Sequence, residues 1–215
     1  MIKAVLWDFG GVITTSPFEA FNRYEAEHGI PTDFIRGINA TNPENNAWAL
    51  FESSRITYDE FDRLFHEKTS TAGHPIPGSD VLSLLSGDLR PRMVGALKKC
   101  KHHFKIGCIT NNVNSGQGPA MARTRERADE IQWVMNLFDI IVESSKEGIR
   151  KPNPAIYRLA VSRLEVDAGQ IVFLDDLGIN LKPARELGMQ TIKVVNENQA
   201  IRELEEITGL NFNLK

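Results

Sequence analysis

Cysteine is scarce in this chain: Cys100 and Cys108 are the only two in 215 residues. Two thiols cannot build a metal cluster by themselves, and they read as reduced, partly buried side chains rather than a disulfide. Long apolar runs are missing too. No stretch approaches the roughly 20 residues that a membrane-spanning helix needs. Only one lysine and about five apolar residues precede Asp8, too few for a signal peptide, so a cytoplasmic location is expected. Neither sign of charge dominates. Lys and Arg number 25 against 28 Asp and Glu, a net charge of -3, which favours neither nucleic acid nor an anionic membrane as partner. Internal repeats and low-complexity segments are also absent. What remains is ordinary globular composition, 41% hydrophobic and 25% charged. That suits one domain, or a core with an inserted lobe.

Short apolar runs alternating with helical patterns are what is present, and they predict an α/β fold with a parallel sheet. "KAVLW" ends at Asp8. "FKIGCIT" covers Phe104 to Thr110, "FDIIVES" Phe138 to Ser144, "QIVFLDD" Gln170 to Asp176 and "QTIKVV" Gln190 to Val195. In "NPAIYRLAVSRL", Ala155, Ile156, Leu159, Ala160 and Leu164 share one helical face. "NLKPARELG" predicts a helix beginning after Asn180 and stopping at Gly188, and "NQAIRELEEITG" also stops at a glycine.

Between the first two strand runs the pattern changes to helices. Ser16-Pro17 starts one, with Phe18, Phe21 and Tyr24 as its apolar stripe. Thr57 and Glu60 make a capping box ahead of Phe61, Leu64 and Phe65. "PIPGSD" and "RPR" flank a short apolar segment, "VLSLL". The expected organisation is a doubly wound core from residues 1–15 and 91–215, with a helical cap, residues 16–90, inserted above the C-terminal edge of the sheet. Open α/β sheets bind ligands at that edge. Trp48 and the cap phenylalanines read as the cap's own core. Glu44, Arg55, His66 and His74 read as surface, as do His28, His102 and His103. "GQGPAMARTRERADE", Gly116 to Glu130, reads as a loop leading into a charged helix, with phosphate gripping by its arginines the lesser reading.

Four strand ends carry groups that converge in such a fold: Asp8, "TNN" from Thr110 to Asn112, Lys151 just before Pro152, and Asp175, Asp176 and Asn180. Three crowded carboxylates repel one another unless a cation sits among them, and hard oxygen donors suit Mg²⁺. Asp8 is then placed to attack phosphorus and form an aspartyl-phosphate. The Thr110 hydroxyl and the backbone N–H groups after it can hold phosphate oxygens. Lys151 can neutralise phosphate and nucleophile.

"WDFGGVI", "TNN", "RKPNPAIY" and "FLDDLGINLKPARELGM" resemble the four motifs of the haloacid dehalogenase superfamily. The nearest likeness is to the phosphatase-like N-terminal domain of bifunctional soluble epoxide hydrolases. That resemblance implies an inserted helical cap and Mg²⁺-dependent hydrolysis of a small phosphorylated metabolite. It casts Asp8 as nucleophile, Thr110 and Asn111 as the phosphate-binding pair, and Lys151 as the charge-balancing lysine. Asp175 and Asp176 become the acidic metal pair, with Asp176 the direct ligand and Asn180 a support behind them. The family's common pattern has a second Asp two residues after the nucleophile, which protonates the leaving oxygen and later activates water. Here that position is Gly10, whose carbonyl can still bind metal but which has no proton to give. A glycine there also suggests a φ that aspartate tolerates poorly. Two other functions fit the same residues: a 2-haloacid dehalogenase, whose halide leaves unprotonated but which needs no metal, and a non-catalytic phosphate-ligand binder.

Overall fold

A computed structural model describes residues 1–113 and 124–212. Most of the "GQGPAMARTRERADE" loop, including Arg123, lies outside the described residues. Five strands form one parallel sheet: β1 (Ala4–Trp7), β2 (Lys105–Thr110), β3 (Ile140–Glu143), β4 (Ile171–Asp175) and β5 (Gln190–Lys193), in the order β3-β2-β1-β4-β5. The sheet is the doubly wound α/β arrangement that the alternating runs predict. Each run stops at its strand within two residues. The third run overshoots because Ser144 opens α8 (Ser144–Glu147) rather than ending the strand.

Side-chain alternation divides the core in two. Val5, Trp7, Ile106, Cys108, Val172, Leu174 and Ile192 face one apolar layer, closed by α6 (Pro91–Lys101), α7 (Arg125–Met135) and α11 (Glu197–Thr208). Ala4, Leu6, Ile109 and Phe173 face the other, closed by α9 (Pro154–Leu164) and α10 (Gly178–Glu186). Strands buried on both faces read as continuous apolar runs, which is why they stand out in the sequence. Both cysteines are free and buried in the first layer. Burial pushes the Cys100 thiol up to about 12. α10 starts at Gly178, ahead of the expected boundary, so Asn180 lies inside its first turn rather than before it.

The chain between β1 and α6 forms α1 (Pro17–Glu27), α2 (Phe34–Ala40), α3 (Ala47–Glu52), α4 (Tyr58–Thr71) and α5 (Gly78–Ser83). Ser16 caps α1 by accepting from the Phe18 N–H, and Thr57 and Glu60 make a complete capping box on α4. These helices surround a third apolar cluster, which contains Phe21, Ile35, Phe51, Phe61, Phe65 and Val81. Phe61 is its hub, with ring centroids 4.9 Å from Phe51, 5.4 Å from Phe65 and 5.5 Å from Trp48. Glu44, Arg55 and His66 are exposed, and so are His28, His102 and His103; His74 packs edge-on against Phe34 at 5.1 Å. Among the described residues no helix is long and apolar enough to cross a membrane.

Because Phe61 is fully buried, Phe61→Ala should lower unfolding stability by about 3–5 kcal/mol. Tyr58→Ala, at an exposed position, should cost under about 1 kcal/mol. Urea denaturation of both variants checks the contrast.

Candidate active site

The sheet order sends the chain in opposite directions from β1, so the crevice at the C-terminal end of β1 opens between β2 and β4. Asp8 follows β1 directly, and its N–H is fixed to the Leu174 carbonyl at 2.8 Å. Asp175 closes β4 and Asp176 follows it. One carboxylate oxygen from each of the three lies within 4.8 Å of the others. At that separation, with an effective dielectric of about 20, each pair of charges repels by about 3–4 kcal/mol.

Lys151 is the counterweight. Its Nζ sits 2.8 Å from Asp8 Oδ1 and 2.7 Å from Asp175 Oδ2, and the residue is only 1% exposed. Burial alone would lower its pKa, but the Asp175 and Asp8 carboxylates hold it well above the ordinary lysine value, so the ammonium stays charged. Three carboxylates against one ammonium leave two negative charges unbalanced. Burial first, and then Asp175 and Asp176, push Asp8 well above the usual carboxylate range, although Lys151 pulls it back. Burial, followed by Asp175, raises Asp176 to about 6.

The two aspartates of "LDD" differ in their surroundings. Asp175 is fully buried and accepts from the Leu177 N–H at 2.8 Å, Asn180 Nδ2 at 3.0 Å and Lys151 Nζ. Asn180 is itself held, its carbonyl accepting from the Tyr157 hydroxyl at 2.7 Å. Asp176 is only half-buried, and among the other described residues its carboxylate accepts only from Ser16 Oγ, at a long 3.5 Å. On Asp8, Oδ1 takes both the Phe9 N–H and the Lys151 ammonium, while Oδ2 accepts no hydrogen bond from the described residues.

The three residues of "TNN" separate in role. Thr110 ends β2 with its hydroxyl unbonded among the described residues. The Asn111 side chain is committed to the protein itself. Its Oδ1 accepts from the Lys151 N–H at 2.8 Å and its Nδ2 donates to the Lys151 carbonyl at 3.1 Å. Any anion contact by Asn111 therefore falls to its backbone N–H. Asn112 braces the end of β3 through Glu143 and Ser145.

The two glycines after Asp8 also differ. Gly11 has φ 77°, and a Cβ built there would stand 2.2 Å from Asp176 Oδ2. Only glycine lets the backbone pass that close. Gly10 has no positive φ, and a Cβ there meets nothing within 4 Å. The suspicion that position 10 is strained against a side chain is therefore misplaced by one residue. Arg90 secures this turn by donating from Nη1 to the Gly11 carbonyl at 2.7 Å.

The sequence places Ser16 only at a helix start, not against Asp176, and does not single out the pair Glu52 and Arg150. Arg150 Nε approaches Glu52 Oε2 to 2.6 Å. An acid ending the otherwise apolar "AWALFE", and an arginine beside Lys151, were the signals in the sequence.

The family model for haloacid dehalogenase-like hydrolases matches residues 2–188, and the chain belongs to that family of hydrolases. It is 32% identical to mouse "Acyl-CoA dehydrogenase family member 10" over 99% of this chain and 20% of that protein. It is 30% identical to mouse "Bifunctional epoxide hydrolase 2" over 98% of this chain and 40% of that protein. The chain thus spans well under half the length of these relatives. "Sesquiterpene phosphatase astK" of Aspergillus oryzae is 27% identical and is covered over 97% of its length, with 96% of this chain. Among solved structures, a predicted HAD-like hydrolase from Porphyromonas gingivalis superposes with TM-score 0.68 at 20% identity, covering 98% of this chain and all of that one. A mutant HAD enzyme from Bacteroides thetaiotaomicron, in complex with magnesium and inorganic phosphate, superposes with TM-score 0.61 at 20% identity, covering 90% of this chain and 94% of that one.

The raised value of Asp176 carries a stability signature in metal-free protein. A folded-state pKa above the unfolded one gives stability that is full below about pH 4 and is lost as pH rises through about 6. Asp176→Asn should therefore melt several degrees above the native protein at pH 7.5 in chelator, with the gain vanishing near pH 4. Thermal melts from pH 4 to 8 check this; a difference independent of pH would contradict the cause assigned to the shift.

Proposed function

We propose that the protein is a Mg²⁺-dependent phosphatase acting on a small phosphorylated metabolite through an aspartyl-phosphate on Asp8. One observation carries the reading: the Asp8, Asp175 and Asp176 oxygens converge within 4.8 Å of one another, with the buried Lys151 ammonium held by the first two. The donor set fits a hard divalent cation, which balances the two surplus negative charges. Asp8 and Asp176 supply oxygens not engaged elsewhere, the Gly10 carbonyl lies on the same turn, and Asp175 holds Lys151 from behind. When bound, Mg²⁺ supplies charge neutralisation and polarises a phosphate oxygen. The Aspergillus relative, a sesquiterpene phosphatase, and the magnesium–phosphate complex of the Bacteroides enzyme support the same chemistry. The helices α1–α5 act as the cap that encloses the substrate. Cytoplasmic residence is part of the proposal.

The steps follow from the chain's own groups. The Thr110 hydroxyl and the Asn111 N–H hold non-bridging phosphate oxygens. The ionised Asp8 carboxylate attacks phosphorus, the ester P–O bond breaks, and its electron pair leaves with the alcohol oxygen. Lys151 stays protonated throughout, stabilising the phosphoryl charge as it transfers. Water then attacks phosphorus, the P–O bond to Asp8 breaks with its electron pair returning to the carboxylate, and the water's proton passes through solvent to the departed alcohol oxygen. A dehalogenase with the same nucleophile would have no use for the half-buried, weakly bonded Asp176, since its halide needs neither metal nor proton.

On p-nitrophenyl phosphate, Asp8→Asn should reduce turnover by about 10³-fold or more while the protein stays folded. Native turnover should stop in chelator and return with Mg²⁺. Activity that survives chelation would favour the dehalogenase reading, and none under any condition would favour the phosphate-binding one.

The alcohol oxygen departs without a proton donor at position 10, where general acid help is worth about 10²–10⁴ in rate. The rate should therefore fall steeply as leaving-group pKa rises, with aryl, acyl and anomeric phosphates far ahead of alkyl phosphates. Gly10→Asp meets nothing within 4 Å at its Cβ and should flatten that slope. A series of monoesters run on both proteins decides the point: a flat native dependence would mean that another residue donates the proton.

A further inference from the structure

We propose that Glu52 and Arg150 form a latch through which the helical segment α1–α5 holds Lys151 in register, making Arg150 and Glu52 positioning residues for the reaction; this rests on the phosphatase reading above. The loop "GIRKPN" is gripped from opposite sides at adjacent residues. The core grips Lys151, because both polar atoms of its backbone are bound by the Asn111 side chain. The helical segment grips Arg150. Arg150 Nε lies 2.6 Å from Glu52 Oε2, and Arg150 Nη1 donates to the Pro43 carbonyl at 3.0 Å. Glu52 is locked in turn by the Trp48 indole N–H, which donates to Oε1 at 2.9 Å.

The Glu52 side chain is 8% exposed and that of Arg150 25%. Nε and Oε2 are buried and meet without a linear hydrogen bond, so charge holds them rather than bonding geometry. Burying an ion pair is a poor way to gain stability, since desolvation offsets most of the attraction. Its attested use is fixing one arrangement over others. Here the arrangement fixed is that of α3 against the residue next to the ammonium. One peptide link separates the guanidinium's anchor from Lys151, whose Nζ must meet Asp8 and Asp175 at 2.8 and 2.7 Å. A shift of about 1 Å in such a group is enough to cost about 10²-fold in rate. The latch therefore makes correct seating of the helical segment a condition for a correctly placed lysine.

The test pairs kinetics with hydrogen exchange. With p-nitrophenyl phosphate and saturating Mg²⁺, well below the melting temperature, Glu52→Gln and Arg150→Met should each lower kcat by about 10–100-fold while KM stays within about threefold. Arg150→Lys, which keeps the charge, should recover part of the loss. The double variant should be no worse than the poorer single, because both break one contact. Amide exchange of the peptide covering residues 149–153 should speed up in each single variant, reporting release of the Lys151 N–H from Asn111. If a single variant does not fold, Glu52→Leu/Arg150→Met replaces it, leaving no unpaired buried charge, with the same kinetic loss and faster exchange expected. The latch is overturned by kcat within twofold of native in both singles, by losses that multiply in the double, or by unchanged exchange in 149–153. A native protein without turnover counts against the phosphatase reading alone, and the exchange result then decides the latch.

Discussion

The contact on which the rest of the site depends is the Lys151 ammonium held between Asp8 and Asp175. Without it, three carboxylates at the end of a buried sheet would repel one another and hold their protons still more tightly. With it, two of them are tied to one point, and the third is left turned toward the crevice with little to bond. Nearly every neighbouring feature serves that point. Asn180 and the Leu177 N–H fix Asp175, Tyr157 fixes Asn180, and Asn111 fixes the lysine's own backbone. The site is a set of charges whose repulsion is only partly relieved by protein, and that residual imbalance is the ground on which the proposed cation rests.

The same contact explains why neighbouring residues of like type do different work. Asp175 faces inward and spends its oxygens on protein donors, while Asp176 faces the turn made by Gly11 and keeps its own. Gly11 must be glycine because Asp176 occupies the space a Cβ would need, whereas Gly10 faces open space. Asn111 and Asn112 are adjacent in sequence, yet one serves the lysine and the other braces β3.

Much of this is legible in the amino-acid sequence. Strands buried on both faces, each ending in a polar cluster, announce themselves as apolar runs, and their order locates Asp8, Thr110, Lys151, Asp175 and Asp176 at one edge. Ser16, Thr57 and Glu60 announce helix starts because capping is local chemistry. Pairings set by tertiary placement are not legible. Nothing in "WALFESS" says that Glu52 reaches the residue before Lys151, because that depends on how α3 seats against the sheet. Nor does the chain's pattern tell which of two successive glycines carries the positive φ, since that turns on the distance from a side chain far along the chain. The start of α10 lies earlier than its residues suggest for a related reason: the helix reads as beginning after Asn180, but Asp175 recruits the Asn180 amide from inside the helix.

The order β3-β2-β1-β4-β5 has a consequence for how the chain is made. β1 lies at the centre of the sheet, yet it is synthesised before either neighbour: Ala4 pairs with Lys105 and with Ile171. Until β4 emerges, the wholly apolar Ala4–Trp7 segment has at least one unpaired edge, the kind of surface that seeds aggregation. The apolar cluster of α1–α5 is built almost wholly from residues 21–85 and can collapse early, whereas the parallel pairings close long loops and come late. The nascent protein thus spends much of its synthesis with a formed helical cluster and an orphaned central strand. Its solubility during that interval depends on what shields Ala4–Trp7.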